Sequence, residues 1–247
     1  MATSLRLSPS GISTFEQCEL RWKYRYIDQL PDKAGKEAVL GTIVHRALEL
    51  HFGGVDLKPA CREAWDEARE ALDELALGED AEKSMRWSVL ELCEVALRPK
   101  FTPVGSSVVQ TERQFRIDYD GVTLNGIVDR LVEREVKGVR LTVIEDYKTG
   151  KMPLRRFMPD KFKQLHFYAA ALSLEGEKAH SVGLLYLKGN PAYENVTPVT
   201  ITTALDRVKS TRDAICDRME SGDFQPKPSK LCGWCPQYDI CPAEGKP

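Results

Sequence analysis

The sequence predicts a mixed α/β (α+β) chain, and three observations carry that expectation. Apolar residues recur at helical spacing in both halves of the chain. Short alternating apolar runs, bounded by the turn pairs Asp120-Gly121 and Lys137-Gly138, read as strands joined by hairpins. A composition of 42% hydrophobic and 29% charged residues over 247 positions is that of a water-soluble fold with one large core, taken here as a single domain over 1–247.

Ser8-Pro9-Ser10-Gly11 opens the first helix, with a serine cap and proline in the first turn. Ile12, Phe15, Trp22 and Tyr26 follow at near-helical spacing. Cys18 falls in this run, where a lone cysteine most often packs as a small hydrophobe. Arg21, Lys23 and Arg25 alternate with Trp22, Tyr24 and Tyr26, which suits either a nucleic-acid surface or a solvated helix face. A second helix, Glu37 to His51, has the stripe Leu40, Ile43, Val44, Ala47, Leu48 and His51. Gly41 and His45 lie off it, one turn apart, so His45 is either a structural hydrogen-bonder or a ligand.

Residues 58–98 read as an acidic helical insertion in two segments, 58–76 and 81–98. Trp65, Leu72, Leu75, Trp87, Leu90 and Leu97 are its expected apolar contacts, and Cys61 and Cys93 its packing thiols. Val108 to Ile117 is strand-like, and Glu112 within it lies either near a site or, as expected of a single acid there, at the surface. Beyond it come a helix from Asp160 to Glu175, strands at Val182–Leu187 and Val196–Ile201, and a helix from Leu205 to Met219 holding a buried Cys216.

The chemistry concentrates between Leu124 and Lys148. Two strand-like runs, Leu124 to Val128 and Val139 to Ile144, each end in acids: Asp129 on the first, Glu145-Asp146-Tyr147-Lys148 on the second. Side chains two apart on a strand share a face, so Asp146 and Lys148 point one way and Glu145 and Tyr147 the other. If Asp129 faces the same way, two carboxylates and an ammonium converge. Such acids repel unless a cation such as Mg²⁺ or Mn²⁺ sits between them. Acids and lysines at strand ends are also common as solvated surface, and Asp-x-Lys alone does not decide.

Lys148 to Lys163 is the most basic window, with Lys148, Lys151, Arg155, Arg156, Lys161 and Lys163 against Asp160. It is the natural place for phosphate contacts. Gln164 and Tyr168 follow at i, i+4 on one helix face, either to hold a phosphate or base or as a polar edge. Within the C-terminal segment 225–247, Cys232, Cys235 and Cys241 stand in a Cys-x₂-Cys-x₅-Cys loop, a spacing typical of metal ligands that lacks a fourth thiolate. Cys18 is a candidate for it.

No apolar run reaches the ~20 residues of a membrane span, and MATSLRLSPSG lacks the apolar core of a signal peptide. The expected location is therefore cytoplasmic. Seven cysteines, an odd number, argue against a disulfide framework. A net charge of −2 excludes a global basic field, so any nucleic-acid contact must be local.

The whole pattern resembles the RecB-like branch of the PD-(D/E)XK nuclease superfamily, and most closely its iron–sulfur members: the CRISPR-associated RecB-like exonucleases, the AddB nuclease domain and phage homologues. The matching motifs are Gly41-Thr-Ile-Val-His45, Gly126-Ile-Val-Asp129-Arg130, Asp146-Tyr-Lys-Thr-Gly150, Gln164-Leu-His-Phe-Tyr168, and the cysteines at 18, 232, 235 and 241. The resemblance implies a mixed central sheet flanked by helices, with the terminal segments joined by a cluster. It implies that His45, Asp129, Asp146 and the Tyr147 backbone carbonyl hold Mg²⁺ or Mn²⁺, that Lys148 positions the attacking water, and that Gln164 and Tyr168 help hold the DNA. It implies a [4Fe–4S] cluster on Cys18, Cys232, Cys235 and Cys241. The implied activity is exonucleolytic DNA cleavage, favouring single strands or free ends, in repair, recombination or CRISPR and phage DNA processing. A helicase or a CRISPR adaptation component is the implied kind of partner. Two alternatives stay open at this point: a catalytically silent DNA-binding or assembly module, and a structural zinc in place of iron. Residues 58–98 match none of these motifs.

Overall fold

The computed structural model describes residues 5–32 and 34–243. The first four residues of the N-terminal stretch and the last four of the 225–247 segment lie outside them. The chain runs β1 (Arg6–Leu7), α1 (Pro9–Gln17), α2 (Glu19–Tyr26), α3 (Lys36–Phe52), α4 (Leu57–Glu67), α5 (Arg69–Glu74) and α6 (Glu79–Ala96). It continues with β2 (Ser106–Tyr119), β3 (Val122–Val136), β4 (Val139–Lys148), α7 (Met158–Leu174), β5 (Ser181–Tyr186), β6 (Pro191–Asn195) and α8 (Pro198–Ser221). The expected mixed α/β class, a mixed sheet with flanking helices, is what the chain adopts.

Hairpin chemistry sets the long strands. Asp120 and Gly121 have φ of 50° and 81°, and Lys137 and Gly138 have 53° and 77°. Two successive left-handed residues turn a strand back in the sense that its own twist requires, and a glycine at the second place removes the steric cost. The run Leu124–Val128 therefore lies inside the longer strand β3, and Val139–Ile144 opens the longer strand β4.

The chain divides into two units. The larger holds Ala34–Gln114 and Ile127–Ile201. Its sheet is mixed: β3 pairs antiparallel with β4 from Arg130↔Glu145 to Val136↔Val139, β4 parallel with β5, and β5 antiparallel with β6. α7 packs on β4 and β5, while α3, α4 and α6 pack on one another. One continuous core joins Val39, Ile43, Val44, Ala47 and Leu48 of α3 to Trp65, Met85, Val89 and Cys93, and to Tyr147 and Leu185 of the sheet. Gly183 is required where it stands: a Cβ there would lie 2.3 Å from the Tyr193 ring on β6.

The smaller unit holds Met1–Lys33, Phe115–Gly126 and Thr202–Pro247. β1 pairs parallel with Thr123 and Leu124. Trp22 is its aromatic centre, edge-on to Phe15 and stacked on Phe224 with centroids 6.0 Å apart. Arg207 pairs with Glu16, and Arg218 with Glu19, tying α8 to α1 and α2.

Four expectations are corrected. The first helix is two helices, broken at Cys18, whose φ of −165° and ψ of 112° are extended. Val196–Ile201 is not a strand. Thr197 and Thr200 exchange hydroxyl-to-backbone bonds of 3.2 and 3.1 Å, and Pro198 opens α8 there, so capping chemistry overrides a β-branched run. Cys216 is exposed, because the buried stripe of α8 runs through Ala204, Val208, Thr211 and Ile215 and leaves its neighbour outside. Trp87 is 64% exposed, since α6 buries Met85, Val89, Leu92 and Cys93 on the other side. Cys93 is buried as expected, and Cys61 half-buried.

Candidate active site

The strand periodicity of β4 sorts its residues between two jobs. Glu145 and Tyr147 face one way and meet Arg130, which is 1% exposed. Arg130 donates from Nε to Glu145 Oε2 at 2.8 Å, from Nη1 to the Tyr147 hydroxyl at 2.9 Å, and from Nη2 to the Phe101 carbonyl at 2.7 Å. The second Glu145 oxygen accepts from Arg134 and, at 2.9 Å, from the Tyr193 hydroxyl. A buried charge is tolerable only when paired and fully hydrogen-bonded, and this one is.

Asp146 and Lys148 face the other way, toward α7. Lys148 Nζ lies 2.6 Å from Asp146 Oδ2. Gln164, one helical turn before Tyr168, donates from Nε2 to Asp146 Oδ1 and lies 3.0 Å from the Tyr168 hydroxyl, while its Oε1 accepts from Lys148 at 3.3 Å. Gln164 thus holds both members of the Asp146–Lys148 pair.

Asp129 comes in from β3. Its Oδ2 accepts from the Tyr147 backbone N–H at 2.9 Å and lies 3.1 Å from His45 Nδ1. The other imidazole nitrogen, Nε2, lies 3.0 Å from the Tyr147 carbonyl oxygen. Gly41 lies one turn before His45, but a Cβ there would make only ordinary contact, 3.5 Å from Thr149 Oγ1, so the space does not require a glycine. Glu112 arrives from β2, and His45, Glu112 and Asp129 each offer a ligand atom within 4.8 Å of the others. Glu112 has φ of 46° inside a strand. A left-handed non-glycine residue in that setting is strained, and such strain gathers at functional sites.

The electrostatics suit a cation held between the acids. Burial and then the Asp129 carboxylate raise Asp146 to about 6, against the pull of Lys148 and His45. The same two causes push Glu112 up to about 7. Burial disfavours the His45 cation, yet Asp129 overrides this and lifts the imidazole to about 9. Lys148 also loses hydration on burial, and Asp146 more than restores its charge. Two acids and an imidazole, His45, Glu112 and Asp129, form a donor set suited to a hard divalent ion, and Asp146 is held by Lys148 and Gln164.

His45, Asp129, Asp146, Tyr147, Lys148, Gln164 and Tyr168 are therefore brought together. Lys151, Arg155 and Arg156 are exposed between β4 and α7, and Arg156 lies over the Phe157 ring. Glu112 was expected at the surface and is instead half-buried in the acidic cluster. Its signal was weak, a single acid in an alternating strand. The Arg130–Glu145 pair was also missed, although Arg130 follows Asp129 directly and so must take the opposite face.

In the smaller unit, Cys18, Cys232, Cys235 and Cys241 line one cavity of about 50 Å³. The break between α1 and α2 turns Cys18 out of the helical run. A short 3₁₀ turn at Lys230–Trp234 presents Cys232, whose sulfur accepts from the Ser229 N–H at 3.3 Å. Arg21 lines the same cavity, its buried Nε unpaired.

A mixed sheet with flanking helices carries Asp129 midway along β3 and Asp146 and Lys148 at the end of the adjacent β4, an acid-and-lysine arrangement of the nuclease type. A family model described as the PD-(D/E)XK nuclease superfamily matches residues 6–242, and the chain belongs to that superfamily. A crystal structure described as a "Putative exonuclease" from Eubacterium rectale shares the fold, with a TM-score of 0.64 at 16% identity over 100% of this chain and 91% of that one. A second solved structure, SSO0001, aligns over 91% of this chain and 92% of its own at 12% identity and a TM-score of 0.37, too low to carry weight. No curated protein sequence gives a significant match. Among the described residues no helix is long and apolar enough to cross a membrane.

Proposed function

We propose that the protein is a Mg²⁺- or Mn²⁺-dependent deoxyribonuclease of the RecB-like, iron–sulfur branch, working as an exonuclease on single strands or free ends. The observation that carries this is the convergence of His45, Glu112 and Asp129 on one point beside the Asp146–Lys148 pair. His45, Asp129, Asp146 and the Tyr147 carbonyl hold the ion, with Glu112 added to the set. The bound ion supplies Lewis acidity to the scissile phosphate and lowers the pKa of the attacking water. Lys148 orients that water and offsets charge on the phosphate. Gln164 keeps Asp146 and Lys148 aimed, and Tyr168 holds Gln164. Lys151, Arg155 and Arg156 take the DNA backbone.

The same reading assigns one [4Fe–4S] cluster to Cys18, Cys232, Cys235 and Cys241. Their shared cavity supports it, as does the Arg21 side chain beside it, whose buried Nε has no hydrogen-bond partner and suits an anionic thiolate cluster. In this reading residues 1–247 act as one cytoplasmic nuclease domain with 58–98 as a helical insertion. It would work in DNA repair, recombination or CRISPR and phage DNA processing, beside a helicase or an adaptation component.

End-labelled single- and double-stranded DNA, with Mg²⁺, Mn²⁺ or EDTA, tests the activity. Wild type should release short products from single strands with either metal and none in EDTA. Asp146→Asn should lose cleavage and keep its fold. Undiminished cleavage by Asp146→Asn would remove the site from consideration.

A further inference from the structure

Residues 58–98 carry six basic residues against eleven acids. Four of those six, Lys58, Arg62, Lys83 and Arg86, nevertheless line a single cavity of about 460 Å³ between α4 and α6, with Asp66 the only acid on its wall. Gathering the cations of an acidic segment around one hollow makes an anion site. Among the described residues no ion pair ties Lys58, Arg62 or Lys83 to a carboxylate, and Arg86 reaches only Glu82, at 3.8 Å.

The wall also holds two indoles. Trp65 is 2% exposed, and its ring carries the Arg86 guanidinium at 4.8 Å from the centroid, which fixes the charge in place. The Trp65 Nε1–H is buried with no hydrogen-bond partner. A buried donor left unpaired costs about 1–3 kcal/mol, so an acceptor supplied by a ligand would relieve it. Trp87 is 64% exposed, a large flat face with no place in the core. Aromatic faces beside cations are the elements by which proteins grip a nucleic-acid strand without reading its sequence.

We propose that this cavity seats one nucleotide of single-stranded DNA, its base on Trp87 and its phosphate among Arg62, Lys83 and Arg86. The choice of strand rests on DNA being the substrate. The cavity is lined by none of the residues placed at the metal site, so it adds a second grip on the same strand. A volume of this size suits a nucleotide and falls in the ordinary range of ligand pockets.

The test uses the full chain in EDTA, where nothing is cut, with labelled oligothymidylate. Trp87→Ala should weaken binding about tenfold, Trp87→Phe should restore most of it, and Arg62→Glu with Lys83→Glu should flatten the salt dependence. Oligothymidylate should quench the tryptophan fluorescence of wild type far more than free thymidine monophosphate does. Equal quenching by the monophosphate would make this a free-nucleotide site and overturn the strand proposal. Wild-type affinity in Trp87→Ala and in the double reversal would overturn it too. DNA cleavage by a wild type whose Trp87→Ala variant binds normally sinks this cavity and leaves the nuclease reading standing. Strand binding through Trp87 in a protein that never cuts DNA does the reverse.

Discussion

Arg130 and Glu145 face each other across the β3–β4 pair, with side-chain exposures of 1% and 0%. They lie one residue beyond Asp129 and one before Asp146. The buried pair therefore sets the register that puts the two site carboxylates on the opposite face. Arg130→Met should leave Glu145 Oε2 buried without its partner, with only Arg134 and Tyr193 still on Oε1, at a cost of about 3 kcal/mol in urea unfolding. The double variant with Glu145→Met should lose less than the sum. Additive losses would show that the pair is not an energetic unit.

The metal-free protein should become less stable as pH rises. Glu112 and Asp146 are raised to about 7 and about 6, so the native state binds protons that the unfolded chain has already lost. His45, raised to about 9, contributes stability fully present below its unfolded value of 6.5 and lost as pH climbs through the folded one. All three act in the same direction, Asp146 from 3.8 to about 6, Glu112 from 4.5 to about 7 and His45 from 6.5 to about 9. Bound metal must displace those protons, so Mn²⁺ affinity should rise over the same ranges. Calorimetric titration at several pH values checks this, and a flat affinity would remove these groups from the binding equilibrium.

Glu112 joins two effects that substitution can separate. Glu112→Ala and Glu112→Gly both remove the carboxylate and should weaken Mn²⁺ binding about tenfold. Only glycine accepts the φ of 46° without strain. The glycine variant should therefore be about 1 kcal/mol more stable than the alanine variant in the absence of metal. Equal stabilities would mean that the backbone relaxes once the side chain is gone.

The cysteine cavity makes a chemical prediction. Anaerobically purified protein should be brown, with about four irons and four sulfides per chain. Cys18→Ser should lose the colour and lower the melting temperature by several degrees. Cys216→Ser, at an exposed position on α8, should keep both. A colourless protein holding one zinc would replace iron with a structural zinc site.

Most of the α/β layout was legible because its signals are local. Asp120-Gly121 and Lys137-Gly138 announce their own left-handed turns, and Asp146 and Lys148 share a face by strand geometry alone. In the structure His45 lies against Asp129, and Gln164 holds Asp146 and Lys148. What stayed hidden depends on contacts distant in sequence. Glu112 lies seventeen positions before Asp129, and nothing around it distinguishes it from a surface acid. Trp87 resembles a core residue until the packing of Met85 and Val89 decides which side of α6 faces in. The β-branched run Val196–Ile201 lost to its own threonine caps, a case of side-chain hydrogen bonding overriding pattern.

The cavity lined by Cys18 and by Cys232, Cys235 and Cys241 has a consequence in time. Chains emerge from the ribosome at about 5–20 residues per second, N-terminal parts first. Cys18 is exposed to the cell long before its three companions exist, and the cavity has no complete wall until Cys241 has been made. The sheet and the acidic cluster, encoded between Arg6 and Asn195, can form before then. Closing the thiol cavity thus comes after the sheet can fold, and a nascent protein stalled before residue 232 would carry the acidic cluster without a complete cysteine cavity.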